Sequence, residues 1–573
     1  MQPRDGLKRA CAILLSAATA WAVSSCAALP SNTDPHVVRS YEPRDATEPV
    51  ASPRPGSEPD LLLRDFFSAS ALRTTNFEAA RGFLTSAAAE VWQPSETTIV
   101  VDRLNLNTLS GGSGERRSFS VQGDVIGELQ PSGIFLPNRA LYDATMELEQ
   151  VNGEWRISSL PNGVIIERAE LRNNYQPYNV YFLDAANSQL VADRRWVYGD
   201  RESLAGELLS MLVSGPATRL RPAVRYNLPA GAAYVGFEGG EYRFTGFSSM
   251  GEDDRLQFAA QVVWTLNNAG MTGPVTITAD GDPLVSWVDE FTTADFANLD
   301  PLQGQTAGAP TYSLANGGLF EVSGGQAQAV SGAVGKADNI ASADIARGGS
   351  VALVVGSEGD QRFELGSLEA EPSEVTRADN FTRPTFESDG AAAWVVADGR
   401  RVIRAVRSPA TGEVSTSDIT FDMPDGIDGT VSVLRLSRTG ARVVMVIDGR
   451  LFTGVVQQGS SGQRSIVNVL EYAPDLGGTV IAADWNPDGS LLVGTNSAVA
   501  PVLRVEQDGS FTTTLSSGNL AAPVVAVAST SETYYVTDAN AALQRPVSGA
   551  PDDPNWREVA GLQGVRSLLI VAR

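Results

Sequence analysis

Histidine and cysteine are almost absent from this 573-residue sequence, and their scarcity excludes several kinds of catalysis. The one histidine, His36, lies in a proline-rich stretch, and the two cysteines are Cys11 and Cys26. Serine–histidine–aspartate triads, cysteine–histidine pairs and histidine zinc sites need an imidazole on a rigid scaffold. We therefore expect none of these chemistries. Carboxylate-only mechanisms and Ca²⁺ or Mg²⁺ sites built from oxygen ligands stay open.

A long hydrophobic run is also missing near the N-terminus. The apolar stretch Ala10–Val23 follows a positively charged start but is shorter than the about 20 residues of a membrane-spanning helix. It ends in Val23-Ser24-Ser25-Cys26, which has the form of a lipobox. The pattern predicts that residues 1–25 are a lipoprotein signal peptide and that Cys26 carries the lipid. The alternative is an ordinary secretory signal with a chance cysteine.

The same shortage limits how the mature protein is held together. Cys11 is removed with the predicted signal and the sulfur of Cys26 is occupied by lipid, so no disulfide is expected. The folded domains must then depend on their own cores, and the length suggests three or four of them. No cofactor is expected. The formal net charge of −24 disfavours nucleic acid and anionic lipid as ligands.

Residues 26–59 are interpreted as the lipidated cysteine followed by a proline-rich tether. Seven prolines lie between positions 30 and 59, and large apolar side chains are nearly absent. Such a segment cannot bury a core. In a polyproline II conformation of about 3.1 Å per residue it would extend up to roughly 90 Å from the membrane.

Residues 60–168 are predicted to form an α+β domain. Apolar residues recur at helical spacing at Leu62, Phe66, Ala69 and Leu72, and again at Phe77, Ala80 and Leu84. Strand patterns follow at Thr97–Val101, Arg116–Leu129, Ala140–Leu148 and Gly153–Ile157. Helices followed by a long-stranded curved sheet resemble an NTF2-like domain.

Residues 175–300 are predicted to form a second, α/β domain. It opens with the strand Asn179–Leu183, and a helix carrying Leu204, Leu208, Leu209 and Leu212 ends at Gly215-Pro216. A second helix around Phe258–Asn267 and the strand Val275–Ala279 follow. This order resembles the GerMN domain, which implies an envelope-associated binding role without known catalytic residues.

Residues 310–573 contain a repeat in which an apolar strand, a polar turn and a second apolar strand recur. The turn positions are 349, 390, 440, 489 and 531, so the steps are 41, 50, 49 and 42 residues. Steps of this size are typical of four-stranded propeller blades. The last strand, Val565–Val571, is expected to pair with Tyr312–Val322 and close a ring of six blades.

Aspartates in the predicted turns are interpreted as structural. Asp389, Asp448, Asp488 and Asp508 each precede a glycine, which is common in hairpin turns. The Asp-box motif of sialidase propellers is not found in these turns. We therefore expect a protein that is not an enzyme.

The order of lipobox, tether, NTF2-like domain, GerMN-like domain and C-terminal propeller resembles the actinobacterial LpqB lipoprotein family. That resemblance implies a lipid-anchored protein on the extracytoplasmic face of the cell membrane. It also implies a non-catalytic role as accessory to the sensor kinase of the MtrA–MtrB two-component system, in envelope homeostasis and division. An envelope scaffold that binds peptidoglycan or another cell-wall polymer, and a carboxylate-only glycan hydrolase, are the two alternatives.

Overall fold

The computed structural model describes most of the chain from Ser52 onward. The described residues are 52–72, 75–94, 97–110, 114–199, 201–302, 308–421, 423–424, 426–459, 462–548 and 555–572. They fall into three successive regions, and together these belong to one compact unit that runs from Ala51 to Arg573.

The first region packs short helices on a five-stranded sheet. Its helices are α1 (Pro59–Ala71), α2 (Glu78–Arg81), α3 (Ser86–Val91) and α4 (Arg168–Asn174). Its strands are β1 (Thr98–Thr108), β2 (Arg116–Leu129), β3 (Phe135–Val151), β4 (Glu154–Ser159) and β5 (Val164–Glu167). The strand order is β4-β3-β2-β1-β5, and only the β1–β5 pair is parallel.

Helix α1 confirms the predicted helical spacing at Leu62, Phe66 and Ala69, whereas Leu72 follows its end in an extended conformation. Pro59 occupies its first turn, where a missing N–H costs no hydrogen bond. Its apolar stripe is buried, and the ring of Phe66 makes edge contacts with Phe83 and Trp92. The core of the region continues beyond residue 168, because Leu171 of α4 and Tyr175 are buried in it.

The second helix predicted from Phe77, Ala80 and Leu84 is not continuous. Phe77 ends a 3₁₀ turn with φ near 54°, helix α2 lasts four residues, and Leu84 instead forms a β-bridge with Ile157. The left-handed backbone at Phe77 keeps this residue out of the helix, which begins at Glu78 and ends at Arg81, before Leu84.

The second region combines a hairpin, two long helices and a small sheet. Its strands are β6 (Tyr175–Leu183), β7 (Leu190–Tyr198), β8 (Ala233–Glu238), β9 (Glu241–Thr245), β10 (Thr276–Ala279) and β11 (Asp282–Pro283). Its helices are α5 (Arg201–Ser214) and α6 (Glu252–Asn268). Strands β6 and β7 pair antiparallel, and the small sheet has the order β11-β10-β9-β8.

Helix α5 ends where the sequence predicts. Its leucines at 204, 208, 209 and 212 are buried in the core of the second region. Gly215 follows with φ 95°, a conformation that glycine adopts without strain. A Cβ at Gly215 would lie 3.1 Å from the ring of Tyr226, so close packing also favours glycine there.

The third region consists of antiparallel strands in sets of four. The strands are β12 (Thr311–Ala315), β13 (Gly318–Ser323), β14 (Gln326–Ala329), β15 (Ile340–Ile345), β16 (Ser350–Ser357), β17 (Asp360–Ser367), β18 (Ala370–Ala378), β19 (Thr385–Phe386), β20 (Ala392–Ala397), β21 (Arg401–Arg407), β22 (Val414–Phe421), β23 (Val431–Leu436), β24 (Arg442–Ile447), β25 (Arg450–Gln458), β26 (Arg464–Glu471), β27 (Val480–Trp485), β28 (Leu491–Thr495), β29 (Val502–Val505), β30 (Thr512–Thr514), β31 (Ala526–Ser529), β32 (Thr533–Thr537), β33 (Ala542–Pro546), β34 (Arg557–Glu558) and β35 (Leu568–Val571). Four sheets have four strands, and a parallel pairing of β22 with β26 joins two further sets into an eight-stranded sheet. The region is therefore β-propeller-like.

The last strand completes the first sheet of this region. Strand β35 pairs antiparallel with β12, and Tyr312 lies opposite Ile570. The predicted pairing of the chain's last strand with the strand at Tyr312 is confirmed. It covers a strand edge that would otherwise be open.

The repeated turns also lie where the sequence predicts. Gly349, Gly390, Gly440 and Gly489 all have positive φ and each joins the first two strands of a set. The degenerate copy at Ser531 lies between β31 and β32. Because the strands are antiparallel, these turns lie at one end of their sheets, and the turns between second and third strands lie at the other end.

Candidate functional site

The predicted lipidation site lies outside the described residues. This applies to residues 1–25, Cys26, His36 and the tether as far as residue 51. The tether's last residues are bound to the first region: Arg54 pairs with Asp65 of α1, and the Gly56 N–H donates to Glu154 at 2.9 Å. Among the described helices, none has the length and apolar character needed to cross a membrane.

Three of the four turn aspartates have the structural role that the sequence predicts. Asp389 accepts the N–H of Ala391, and Asp448 accepts that of Thr430. Asp488 accepts from the backbone and hydroxyl of Ser490. These contacts are local to the third region and fix the turns.

Asp508 has an additional contact that a turn does not require. It accepts from Ser510 in its own turn, and it also accepts the indole N–H of Trp196 at 2.8 Å. Trp196 belongs to strand β7 of the second region. This aspartate therefore joins two regions of the protein.

The segment Glu506–Phe511, which we call the junction loop, contacts both other regions. Glu506 faces Arg194 of β7 at 2.9 Å, and the ring of Phe511 packs 5.5 Å from that of Trp196. The guanidinium of Arg172, in α4 of the first region, lies 4.9 Å from the Phe511 ring centre. Burial raises the pKa of Glu506, against the attraction of Arg194 and Arg504.

The repeated turns of the third region contact the hairpin β6–β7 directly. Gln189, between the two strands, donates to Ser388 at 3.1 Å and to the carbonyl of Thr439 at 2.7 Å. Arg442 donates to the carbonyl of Ala192 at 2.8 Å, and burial lowers its pKa. The second region is thus docked on the end of the sheets that carries the repeated turns.

A fully buried arginine joins the first and second regions. Arg195 is 0% exposed and donates to Asp193 at 2.7 Å, to the carbonyl of Ser132 at 3.0 Å and to that of Gly215 at 2.9 Å. Asp193 also accepts the N–H of Ala217. Both charges are paired, which burial requires.

An open groove lies above this contact, between the first and second regions. It encloses about 1160 Å³, more than most small-molecule pockets. The turn Pro131–Gly133 forms part of one wall and strands β8 and β9 part of the other, with Trp196 and helix α5 also lining it. Phe237, on β8, is 59% exposed, and its ring centre is 4.7 Å from that of Tyr242.

The groove carries little charge. Among its described lining residues, Glu207 of α5 is the one charged side chain. The lining also includes Tyr234 and Tyr242, whose pKa values are raised because burial disfavours their ionised forms. The surface is therefore aromatic and hydroxyl-bearing, with a single acid.

A second charged cluster is buried between strands of the third region. Arg435 donates to Asp344 at 3.0 Å and lies 3.5 Å from Asp484. Burial alone would lower the pKa of Arg435, but the two carboxylates raise it above its usual value. Both aspartates are almost fully buried and bound to the arginine, so this cluster of three charges is structural. In the part of the chain that the structure describes, no group of three or more His, Cys, Asp or Glu side chains is placed to hold a metal ion.

The sequence did not reveal the groove or the junction loop. The stretch from Asp193 to Tyr198 places charged and aromatic residues together in one strand, which is the one local signal of these contacts. The groove's other residues are dispersed from Leu129 to Met271 and converge only in the fold.

Comparison with known proteins gives the same three-part order. Family models match residues 52–172 (lipoprotein LpqB, N-terminal domain), 179–285 (sporulation and spore germination) and 317–567 (lipoprotein LpqB β-propeller domain). In solved structures, the β-propeller domain of Myceliophteria thermophila Cps50 (Swd1) is similar at 12% identity, over 38% of this chain and 70% of that one, with a TM-score of 0.28.

Curated relatives match along the whole chain. Lipoprotein LpqB of Corynebacterium diphtheriae is 36% identical over 100% of both chains. Lipoprotein LpqB of Corynebacterium jeikeium is 36% identical over 96% of this chain and 95% of the relative. With the three regions in the same order, these matches show that the chain belongs to the lipoprotein LpqB family.

Proposed function

We propose that this protein is a non-catalytic, lipid-anchored accessory of a sensor kinase, acting on the extracytoplasmic face of the cell membrane. Family membership supports the lipoprotein assignment. The junction loop carries the proposal further, because it contacts both other regions and makes the three regions one body. Such a body suits a recognition role, in which surfaces from several regions keep a fixed arrangement.

The anchor in this proposal is the lipid on Cys26, after removal of residues 1–25. One acyl chain gives only marginal membrane binding, on the order of 10⁴ M⁻¹, whereas two or three chains hold firmly. We expect Cys26→Ala to release or mislocalise the protein. Retention of the variant in the membrane fraction at high salt would contradict the anchor.

Finer features of the fold belong to the same proposal. Counting the eight-stranded sheet as two blades gives six blades, one of them closed by the pairing of β12 with β35. The first region, with helices packed on a five-stranded sheet, is proposed to be NTF2-like.

The kinase contact can be tested with single-cysteine reporters, because Cys26 is the only cysteine after the predicted signal. Val91, Val235 and Val499 are 71%, 64% and 89% exposed, one in each region. A thiol-reactive photocrosslinker on each Val→Cys variant would report contacts of that region in intact cells.

We expect a crosslink to the kinase ectodomain from Val499→Cys. Val499 lies between β28 and β29, at the end of the sheets opposite the repeated turns on which the second region is docked. Absence of a kinase crosslink from all three positions, with the protein correctly localised, would contradict the proposal.

A carboxylate-only glycan hydrolase is the alternative that activity assays address. The chain should not turn over wall glycans in the presence of Ca²⁺ or Mg²⁺. Turnover that disappears on substitution of one Asp or Glu pair would overturn the non-catalytic assignment.

A further inference from the structure

We propose that the groove between the first and second regions binds an uncharged glycan chain rich in hydroxyl and acetamido groups. The inference rests on the proposed function only for location, since an extracytoplasmic protein meets such polymers. The groove itself is argued from its rings, its hydrogen-bonding groups and its charge.

The rings provide flat apolar surfaces that are open to a ligand. Phe237 remains 59% exposed beside Tyr242, and Val235 on the same strand is 64% exposed. Adjacent exposed apolar residues next to a large groove mark an interaction site more often than isolated ones do. The C–H faces of sugar rings fit such aromatic surfaces, and their hydroxyls remain at the edges.

Helix α5 presents hydrogen-bond acceptors to the same space. Ser210 and Ser214 line the groove, and their hydroxyl hydrogens are used: Ser210 donates to the carbonyl of Gly206 at 2.7 Å and Ser214 to that of Ser210 at 2.8 Å. A hydroxyl oxygen that donates once can still accept. Glu207, which precedes Ser210 on the same helix, accepts from the Ser203 hydroxyl at 3.4 Å and has further acceptor sites when ionised. The helix therefore favours a ligand that donates, as sugar hydroxyls and acetamido N–H groups do.

The charge of the groove and of the whole chain disfavours anionic ligands. Glu207 is the one charged residue among the described lining residues, and the whole chain has a formal charge of −24. Phosphate- or carboxylate-bearing polymers would bring like charge to an acceptor-rich wall. An acyl chain would separate the acceptors of α5 from water and would offer them no donor.

A peptide also carries many hydrogen-bond donors and could bind by adding a strand to the edge of the small sheet. The edge strand β8 disfavours this mode of binding. Strand β8 is the edge of its sheet, but its pairing with β9 shifts register between Tyr234 and Gly236. Such an irregularity bends the strand and opposes regular addition of another one. The irregular edge thus disfavours an added peptide strand, and the aromatic and hydroxyl lining favours a glycan.

The test uses the full lipidated chain in detergent and a neutral N-acetylglucosamine hexamer as the probe. Binding is measured by calorimetry and by tryptophan fluorescence, because Trp196 lines the groove. We expect saturable binding that weakens about tenfold in Phe237→Ser. Ser210→Trp, which fills the groove from α5, should weaken it at least as much.

Trp287→Ser is the matched control. Trp287 is in the same region, is 63% exposed and is not among the groove's lining residues. Its substitution should leave hexamer binding unchanged, and melting temperatures of all variants check that they fold.

Charge is tested with an oligogalacturonate hexamer, which is a carboxylated glycan. It should bind at least tenfold more weakly than the neutral probe, and Glu207→Gln should reduce that difference.

No hexamer binding at millimolar concentration, or binding that Phe237→Ser does not change, would overturn the proposal. So would a neutral peptide that binds in its place and is lost in Phe237→Ser. The assay contains no kinase and the crosslinking test contains no added glycan, so one proposal can fail while the other stands.

Discussion

The second region meets its two neighbours in different ways. Towards the third region its contact is closed by charges and hydrogen bonds, with Arg194 on Glu506 and Trp196 on Asp508. Towards the first region the contact is made at its base by Arg195, by the N–H of Trp196, which donates to Gly133, and by the buried ring of Tyr175, and it opens above into the groove. At the contact with the third region, polar side chains pair with each other. On the side that faces the first region, exposed rings remain available to a ligand.

The difference indicates which surface is structural and which is functional. Buried charges stabilise a contact only when each one has a partner, and they penalise any rearrangement that separates them. Exposed rings impose no such penalty and lose contact with water when a ligand covers them. We therefore assign rigidity to the charged contacts and recognition to the groove.

The largest effect is expected from breaking the contact at the base of the groove. Arg195→Ala would leave Asp193 buried without its cation, which costs about 3–5 kcal/mol of unfolding free energy. Urea unfolding followed by tryptophan fluorescence measures the loss. Arg400→Ala is the control, because its pair with Asp428 is exposed and worth at most about 1 kcal/mol. Equal losses in both variants would contradict the structural role of Arg195.

A smaller effect is expected at the junction loop. Arg194 and Glu506 are suited to a double-mutant cycle with Arg194→Ala and Glu506→Gln, since both side chains are mostly buried. We expect a coupling energy of about 1–3 kcal/mol. The single variants should also increase cleavage by protease between the second and third regions. Strict additivity of the two substitutions would show that this pair does not hold the contact.

Substitution in the groove should reduce stability less than breaking either charged contact. Phe237→Ser removes an exposed ring and one ring pair, so we expect a loss below about 1.5 kcal/mol. The same urea experiment measures it. A loss as large as that of Arg195→Ala would mean that the ring belongs to the core, and that the groove is not a free surface.

The sequence predicts the repetitive parts of this fold well. The spacing of Gly390, Gly440 and Gly489 located the repeated turns, because a hairpin that needs positive φ restricts the residue at that position. The closing strand was predicted because an unpaired edge is unfavourable. Helix α1 and the end of α5 followed from apolar spacing and from Gly215-Pro216.

The contacts between regions could not be predicted from the sequence. Asp508-Gly509 has the same local pattern as Asp488-Gly489, and only the fold brings Trp196 to Asp508. Apolar spacing likewise could not anticipate the left-handed backbone at Phe77, which excludes this residue from the predicted second helix. Such features depend on residues far apart in the chain, which local patterns do not record.

The smallest effect on stability is expected at alkaline pH, where the tyrosines that line the groove ionise. Burial raises the pKa values of Tyr234 and Tyr242 above the ordinary value of about 10. The stabilisation from the neutral rings is therefore complete below about pH 10 and is lost as the pH rises through the folded-state pKa.

A variant with both Tyr234→Phe and Tyr242→Phe should lose less stability than the parent between pH 9 and 11, as measured by urea midpoints. Tyr142 and Tyr181, whose pKa values burial raises to about 12, are present in both proteins and cancel in the comparison. Absorbance at 295 nm should show two fewer tyrosines ionising late. An identical alkaline loss in parent and variant would mean that the groove rings are solvated like surface residues, and would weaken the contrast between the two sides.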